Sequence, residues 1–236
     1  MNGGLIPNYT DALPKEYQNT SFGINKETDL PKLFRGIILG SSGSGKSNLL
    51  IDFIKKSPHV YSHLYLIARQ PEQPLYQYLK DKLESFITVY GQDNPPSVDS
   101  IKKDGSLKLV VFDDFSNDQK WCQEHVVPFF IRGRHRLITT VYLAHAFHSG
   151  VPKMCRLNNE VLMILRSPSK ADMKSVLRDM PISGINDDEL WRFYQQVSKK
   201  RGQMLMINTL DQTIRHNWKT TLFDGMKQKN DDDDEK

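Results

Sequence analysis

FRGIILGSSGSGKSNLL (residues 34–50) decides the fold. LFRGIIL (33–39) is a short apolar run that reads as a buried strand, and KSNLLIDFIKK (46–56) spaces its apolar residues at a helical period. Between them, GSSGSGKS (40–47) fits G-x-x-x-x-G-K-[S/T] in full. A strand, a glycine-rich turn and a helix, in that order, is the context in which this pattern cradles phosphate.

The residue types follow from that chemistry. Gly40, Gly43 and Gly45 let the backbone turn tightly, so that successive N–H groups point inward at phosphate oxygens. The helix behind them adds the positive end of its dipole. Lys46 is a mobile point charge able to bridge β- and γ-phosphates, and Ser47 offers a hydroxyl to magnesium. The nucleotide-binding set read from this stretch is Gly40, Ser41, Ser42, Gly43, Ser44, Gly45, Lys46, Ser47 and Asn48, with ATP and Mg2+ as ligands.

Working outward, HLYLIAR (63–69), FITVY (86–90), LKLVVFDD (107–114), LITTVYLA (137–144) and EVLMILR (160–166) read as strands. PLYQYLKDKLE (74–84), NDQKWCQEHVVPFFIRG (117–133, disturbed at Pro128), SKADMKSVLRDM (169–180) and NDDELWRFYQQVSKK (186–200) read as helices, and VPKMCRLN (151–158) as a short helix or turn. QMLMINT and TIRHNWK look like a closing hairpin. Strands alternating with helices predict an α/β fold, a mostly parallel central sheet with helices on both faces. Residues 1–32 read as an irregular arm, 33–222 as one P-loop ATPase domain and 223–236 as an acidic disordered tail.

The strand LKLVV ends in Phe112-Asp113-Asp114-Phe115. A strand that delivers acids to the edge carrying the phosphate loop can hold a magnesium shell, the role that fits Asp113. The next acid, Asp114, can orient and deprotonate an attacking water. A pair of acids in an ordinary β-to-α turn is the alternative when the pair is taken alone.

Composition sets bounds. Lys and Arg number 32 against 28 Asp and Glu, a net charge of +4. The last six residues hold five acids and one lysine, so without them 31 basic residues face 23 acidic ones, or +8. A basic body suits a polyanion such as nucleic acid, and ordinary solubilising charge is the other reading. The hydrophobic fraction of 38% supports a packed core. No apolar run approaches a membrane span and the first residues carry no secretory pattern, so no membrane partner and no secretion are expected. Cys122 and Cys155 make neither a disulfide framework nor a metal spacing. Trp121, Trp191 and Trp218 read as core or interface.

FRGIILGSSGSGKSNLL, VVFDDF and FFIRGRHRLITTVYLAHAFHSGVPKMCRLNNEVLMIL together resemble the genome-packaging ATPases of large DNA viruses and virophages, the poxvirus-type branch of the FtsK–HerA superfamily. The resemblance covers roughly residues 33–180. Its most specific part is GRH (133–135) followed by a β-branched strand and P-K-x-x-R-x-N (152–158). It implies a RecA-like core, a homo-oligomeric ring of five or six subunits, and ATP-driven translocation of double-stranded DNA into a preformed capsid. It also implies capsid-protein partners and a location in the host-cell cytoplasm or viral factory, with possible virion association.

Carried over by position, Lys46 and Ser47 contact phosphate and magnesium, and Asp113 and Asp114 are the metal acid and the base. The end of LITTVYLA, commonly a glutamine sensor in the family, is here His145, a departure that introduces a titratable group. A satisfied histidine at a strand end is its other reading. Arg134 of GRH and Arg156 of P-K-x-x-R-x-N are the two arginines from which one is expected to face a neighbouring subunit's nucleotide. Arg132, Arg134 and Arg136 also read as a plain basic turn or as contacts to DNA phosphates. Two other functions stay open on sequence alone, a small nucleotide phosphotransferase and a nucleotide-binding virion scaffold. The first needs a lid that the sequence does not display, and the intact Lys46, Ser47, Asp113 and Asp114 speak against the second.

Overall fold

The structure is a computed structural model that describes residues 14, 22–166, 169–174 and 176–227. Most of the expected arm, and residues 228–236 of the expected tail, lie outside the described residues.

Six strands run parallel. They are β3 (Arg35–Leu39), β4 (His63–Ala68), β5 (Ile87–Tyr90), β6 (Lys108–Asp113), β7 (Ile138–Ala144) and β8 (Val161–Ile164). Strands β9 (Leu205–Asn208), β10 (Thr213–His216) and β11 (Thr220–Asp224) extend the sheet antiparallel from β8. The spatial order is β11-β10-β9-β8-β3-β7-β6-β4-β5. Strand β3, which feeds the phosphate loop, therefore sits between β8 and β7, and β7 separates it from the acid-bearing β6.

Both faces of the parallel core are buried, so its strands read as near-continuous apolar runs rather than alternating ones. Ile37 and Leu39 of β3, Val110 and Phe112 of β6, and Tyr142 of β7 join one cluster. Helices α3 (Gln119–His125), α4 (Val127–Arg132), α5 (Lys153–Leu157), α6 (Lys170–Lys174), α7 (Val176–Asp179) and α8 (Asp187–Val197) cover it. Ile38, Val111 and Leu143 face the other cluster, beneath α1 (Lys46–Lys55) and α2 (Pro74–Leu83).

Local chemistry explains most boundaries. Asn186 caps α8 with a reciprocal box: its side chain accepts from Asp188 and Glu189 N–H, and Glu189 accepts from Asn186 N–H. Ser169 caps α6 by accepting from Asp172 N–H. The long helix expected over 117–133 is two, α3 and α4, meeting at Val126 with Pro128 in the first turn of the second. A proline there lacks the N–H that a continuous helix needs.

Two elements were not expected. Residues 24–31, assigned by sequence to the arm, form a small antiparallel pair, β1 (Ile24–Asn25) and β2 (Leu30–Pro31). The Asn25 side-chain amide ties it to the end of α1 by donating to the Lys56 carbonyl and Ser57 Oγ, both at 3.0 Å. At the other end, β11 carries the closing hairpin into a third strand and reaches past residue 222.

Helix α1 is held by Phe53, whose ring meets Phe34 edge-on at 5.7 Å and Trp218 at 6.1 Å. Phe53→Ala is expected to lower the unfolding free energy by about 3–5 kcal/mol, the usual cost of removing a buried aromatic. Urea denaturation checks this, and a loss under ~1 kcal/mol contradicts the packing.

Candidate functional site

Parallel register places the site. Leu39 of β3 pairs with Ala144 of β7, Leu143 of β7 with Asp113 of β6, and Asp113 with Ala68 of β4. The residues that follow these strand ends, Gly40, His145, Asp114 and Arg69, therefore emerge at one sheet edge. Backbone bonds hold them level: Gly40 N–H donates to the Ala144 carbonyl at 3.1 Å, and Arg69 N–H to the Asp113 carbonyl at 3.2 Å.

The phosphate loop has the conformation its glycines permit. Gly43 and Gly45 have φ of 71° and 102°, the left-handed region that other residues seldom enter. Gly40 is needed for close approach, because a Cβ there would collide with Ser44 Oγ and press on Leu165. Ser44 Oγ itself is buried without a hydrogen-bond partner. Lys46 Nζ folds back on the loop, donating to the Gly40 carbonyl at 2.8 Å and the Ser41 carbonyl at 3.3 Å. Burial lowers its pKa, partly opposed by the charges of Asp113 and Asp114.

His145 bridges the lysine and the second acid. Its Nδ1 lies 3.2 Å from Lys46 Nζ and its Nε2 lies 3.2 Å from Asp114 Oδ1. An ammonium only donates, so Nδ1 is the acceptor, and in the neutral ring Nε2 then carries the proton and donates to Asp114. Asp114 has φ of 67°, an uncommon conformation for a residue with a side chain. Such left-handed residues gather at functional sites and cost about 1–3 kcal/mol.

Asp113 is buried, and burial pushes its carboxyl up from the ordinary range, while the Tyr76 hydroxyl and Lys46 pull it down. Tyr76 Oη donates to Asp113 Oδ2. Ser47 and Asp113, on the wall of one cavity, are a hydroxyl and a carboxylate, both hard oxygen donors. Magnesium is usually held through one or two carboxylates, with phosphate oxygens and waters completing the shell, so the donor set fits it.

These groups line one open cavity of about 450 Å³, the size of a small-molecule pocket. Of the sequence-derived set, Ser42, Gly43, Gly45, Lys46, Ser47, Asn48, Asp113, Asp114 and His145 line it. Gly40, Ser41 and Ser44 shape the loop without lining the cavity. Sequence reasoning missed Tyr76, which resembles any apolar helix position but holds Asp113, and it missed Gln70, Gln73, Leu75 and Arg201, which line the cavity but belong to no motif.

The two motif arginines are elsewhere. Arg134 lies at the opposite sheet edge, before β7, where its guanidinium is 3.1 Å from Glu160 Oε1. Arg35 reaches the same buried carboxylate at 2.7 Å. The Arg134 side chain remains 56% exposed. Of the two candidate arginines, Arg156 is the buried one. Its Nε is 2.7 Å from Asp179, and its Nη1 donates to the His148 and Val151 carbonyls at 3.1 and 2.6 Å. A guanidinium so enclosed clamps α5 to α7 and has little freedom to reach another subunit. Arg132 and Arg136 hold the backbone and side chain of Asp99, with Arg136 also donating to the Ile101 carbonyl.

Fold and site define a P-loop nucleotide-binding α/β protein. A model of the Poxvirus A32 protein family matches residues 22–214, and the chain belongs to that family. The resemblance drawn from residues 33–180 falls inside this span. No curated protein matches the chain by sequence. Among solved structures, it is similar to the genome packaging NTPase B204 from Sulfolobus turreted icosahedral virus 2 in complex with AMP, with a TM-score of 0.57 and 13% identity, covering 82% of this chain and 100% of that one. B204 described as the DNA-packaging ATPase of Sulfolobus turreted icosahedral virus gives 0.57 at 15% identity, covering 79% and 97%. The cytoplasmic domain of the Thermomonospora curvata type VII secretion ATPase EccC gives 0.56 at 13% identity, covering 84% of this chain and 26% of that one. At these identities the likeness is one of fold.

The burial of Asp113 has a stability consequence. With its pKa raised in the folded chain, the folded state keeps a proton that the unfolded state releases, so stability falls as pH rises through that interval. Asp113→Asn removes that penalty while its amide oxygen still accepts from Tyr76. In metal-free buffer at pH 7 the variant is expected to unfold at a urea concentration equal to or above wild type. A destabilisation beyond ~0.5 kcal/mol, more than a neutral surface change gives, contradicts this.

Proposed function

We propose that the chain is an ATP-hydrolysing motor that drives double-stranded DNA into a viral capsid. The observation that carries the proposal is the chain of contacts from Lys46 through His145 to Asp114, built where a P-loop meets a two-acid strand end, in a member of the Poxvirus A32 family. The B204 proteins, similar in fold, are described as genome-packaging NTPases.

In this reading ATP enters the cavity with its phosphates against the loop N–H groups. Lys46 exchanges the Gly40 and Ser41 carbonyls for β- and γ-phosphate oxygens. Ser47 and Asp113 would hold Mg2+, which neutralises charge on the same phosphates. Asp114 accepts a proton from the water that attacks the γ-phosphorus in line, the bond from that phosphorus to the β–γ bridging oxygen breaks with its electrons leaving on ADP, and His145 fixes the carboxylate by donating from Nε2. The proton stays on Asp114 until product leaves. His145 thereby occupies the position the family gives to a polar sensor.

Subunits assemble into a homo-oligomeric ring of five or six, beside capsid proteins in the host-cell cytoplasm or viral factory. Arg134, exposed and tethered to Glu160, is the arginine left for a neighbour's nucleotide once Arg156 is buried. Lysines and arginines of the basic body grip the DNA backbone without sequence preference.

Lys46→Ala is expected to reduce turnover by at least about 10²–10³-fold, and Asp114→Asn to do likewise while keeping ATP affinity within a few-fold. Steady-state hydrolysis and nucleotide titration measure both, and retention of a tenth of wild-type turnover by either variant contradicts the assignment. Duplex DNA is expected to stimulate hydrolysis at low salt. Its binding should weaken with a log–log salt slope of about −0.9 per phosphate contacted. A rate indifferent to DNA would remove the motor reading and leave the nucleotide site standing.

A further inference from the structure

Arg201 belongs to no motif, yet it touches the phosphate loop. It lies in the turn between α8 and β9, and its Nη2 donates to the Gly43 carbonyl at 3.0 Å, across 158 residues of sequence. Besides Lys46 it is the other cationic side chain lining the cavity. Gly202, with φ of 82°, turns the chain immediately after it toward β9. Because β9 runs antiparallel to β8, the start of β9 lies at the sheet edge that carries the phosphate loop.

Sheet order fixes which end of a nucleotide it faces. Asp113, Asp114 and His145 leave β6 and β7, on one flank of β3, whereas β8 and β9 lie on the other. The terminal phosphates are drawn to the acid flank by Lys46 and by the ion that Ser47 and Asp113 suit. The α-phosphate, ribose and base must then leave the loop past Gly43 and the first turn of α1. Arg201 stands on that side, exposed and anchored by one of its five N–H donors.

We infer that Arg201 is a nucleoside-side clamp, a positioning residue whose guanidinium plane covers the base of the bound nucleotide while it stays tied to the Gly43 carbonyl. The inference deepens the proposed ATP site and rests on it. A guanidinium is planar and weakly hydrated and stacks plane to plane on aromatic faces, whereas an ammonium meets them only as a strongly hydrated point charge. Every base offers such a face, so the clamp adds affinity without choosing among bases. Its tie to Gly43 links occupation of the base position to the left-handed turn at the tip of the phosphate loop.

The test compares wild type, Arg201→Ala and Arg201→Lys in titrations with Mg–ATP, Mg–GTP and inorganic tripolyphosphate, together with steady-state hydrolysis. Arg201→Ala is expected to bind ATP and GTP about 5- to 10-fold more weakly, the scale of a cation–aromatic contact, and Arg201→Lys to recover only part of that loss. Tripolyphosphate affinity should be unchanged, and the kinetic loss should fall on KM rather than kcat. Equal losses for tripolyphosphate and ATP would make Arg201 a phosphate ligand and overturn the clamp, as would fully restored affinity in Arg201→Lys or a loss confined to kcat. Failure of the wild-type protein to bind either ATP or tripolyphosphate would instead overturn the nucleotide-site reading, and the clamp with it.

Discussion

The parallel register of β3, β7 and β6 is the constraint on which the site depends. It ends three strands at one level, so that Gly40, His145 and Asp114 each emerge one residue past a paired strand end. Moving any of these strands by one residue would turn its side chains to the other face of the sheet. That slip is resisted by two apolar layers, because neighbouring residues of each strand are buried on opposite faces. The same register lets the Gly40 N–H bond to the Ala144 carbonyl, which fixes the first residue of the phosphate loop against the strand that delivers His145. A buried carboxylate, Glu160, pins the far edge by accepting from the Arg35 backbone and side chain and from Arg134.

The edge concentrates groups that work against folding. Asp113 is buried with its carboxyl pushed up, Lys46 is buried with its ammonium pushed down, Ser44 Oγ has no partner, and Asp114 sits in a left-handed conformation. Departures of this kind from the best local choice are expected where a site must meet a ligand. Phosphate oxygens and a divalent cation are the partners that would relieve the first three. Tyr76 moderates the situation by donating to Asp113, so the acid is oriented before any ligand arrives.

What the sequence disclosed follows from how each feature is encoded. The phosphate loop was legible because its function is a backbone shape, and a backbone shape must be written in local residues: Gly43 and Gly45 occupy left-handed positions, and Gly40 tolerates no Cβ. Asp113 and Asp114 were legible because a strand end is marked by the switch from apolar run to acids. Tyr76 and Arg201 were not, since they arrive from 37 residues before Asp113 and 158 residues after Gly43 through tertiary packing. The sequence leaves Arg134 and Arg156 undivided because a motif match carries no information on burial, and the contacts of Arg156 with Asp179 and two carbonyls set the two apart. The β1–β2 pair escaped notice because two-residue strands leave no period, and a tertiary tie from Asn25 to the end of α1 fixes it. The disturbance expected at Pro128 in the helix over 117–133 is a full division into α3 and α4.

We propose that Asp114 and His145 act as one unit beside Lys46, and not as two independent contributors. Single-turnover ATP hydrolysis by Asp114→Asn, His145→Ala and the double variant tests it most directly, because effects of residues that act as a unit are strongly non-additive. The double variant is expected to be no more than about threefold slower than the slower single variant. Losses that multiply to the full product of the two single effects would show that the residues act separately, and would contradict the contact between His145 Nε2 and Asp114 as the catalytic arrangement.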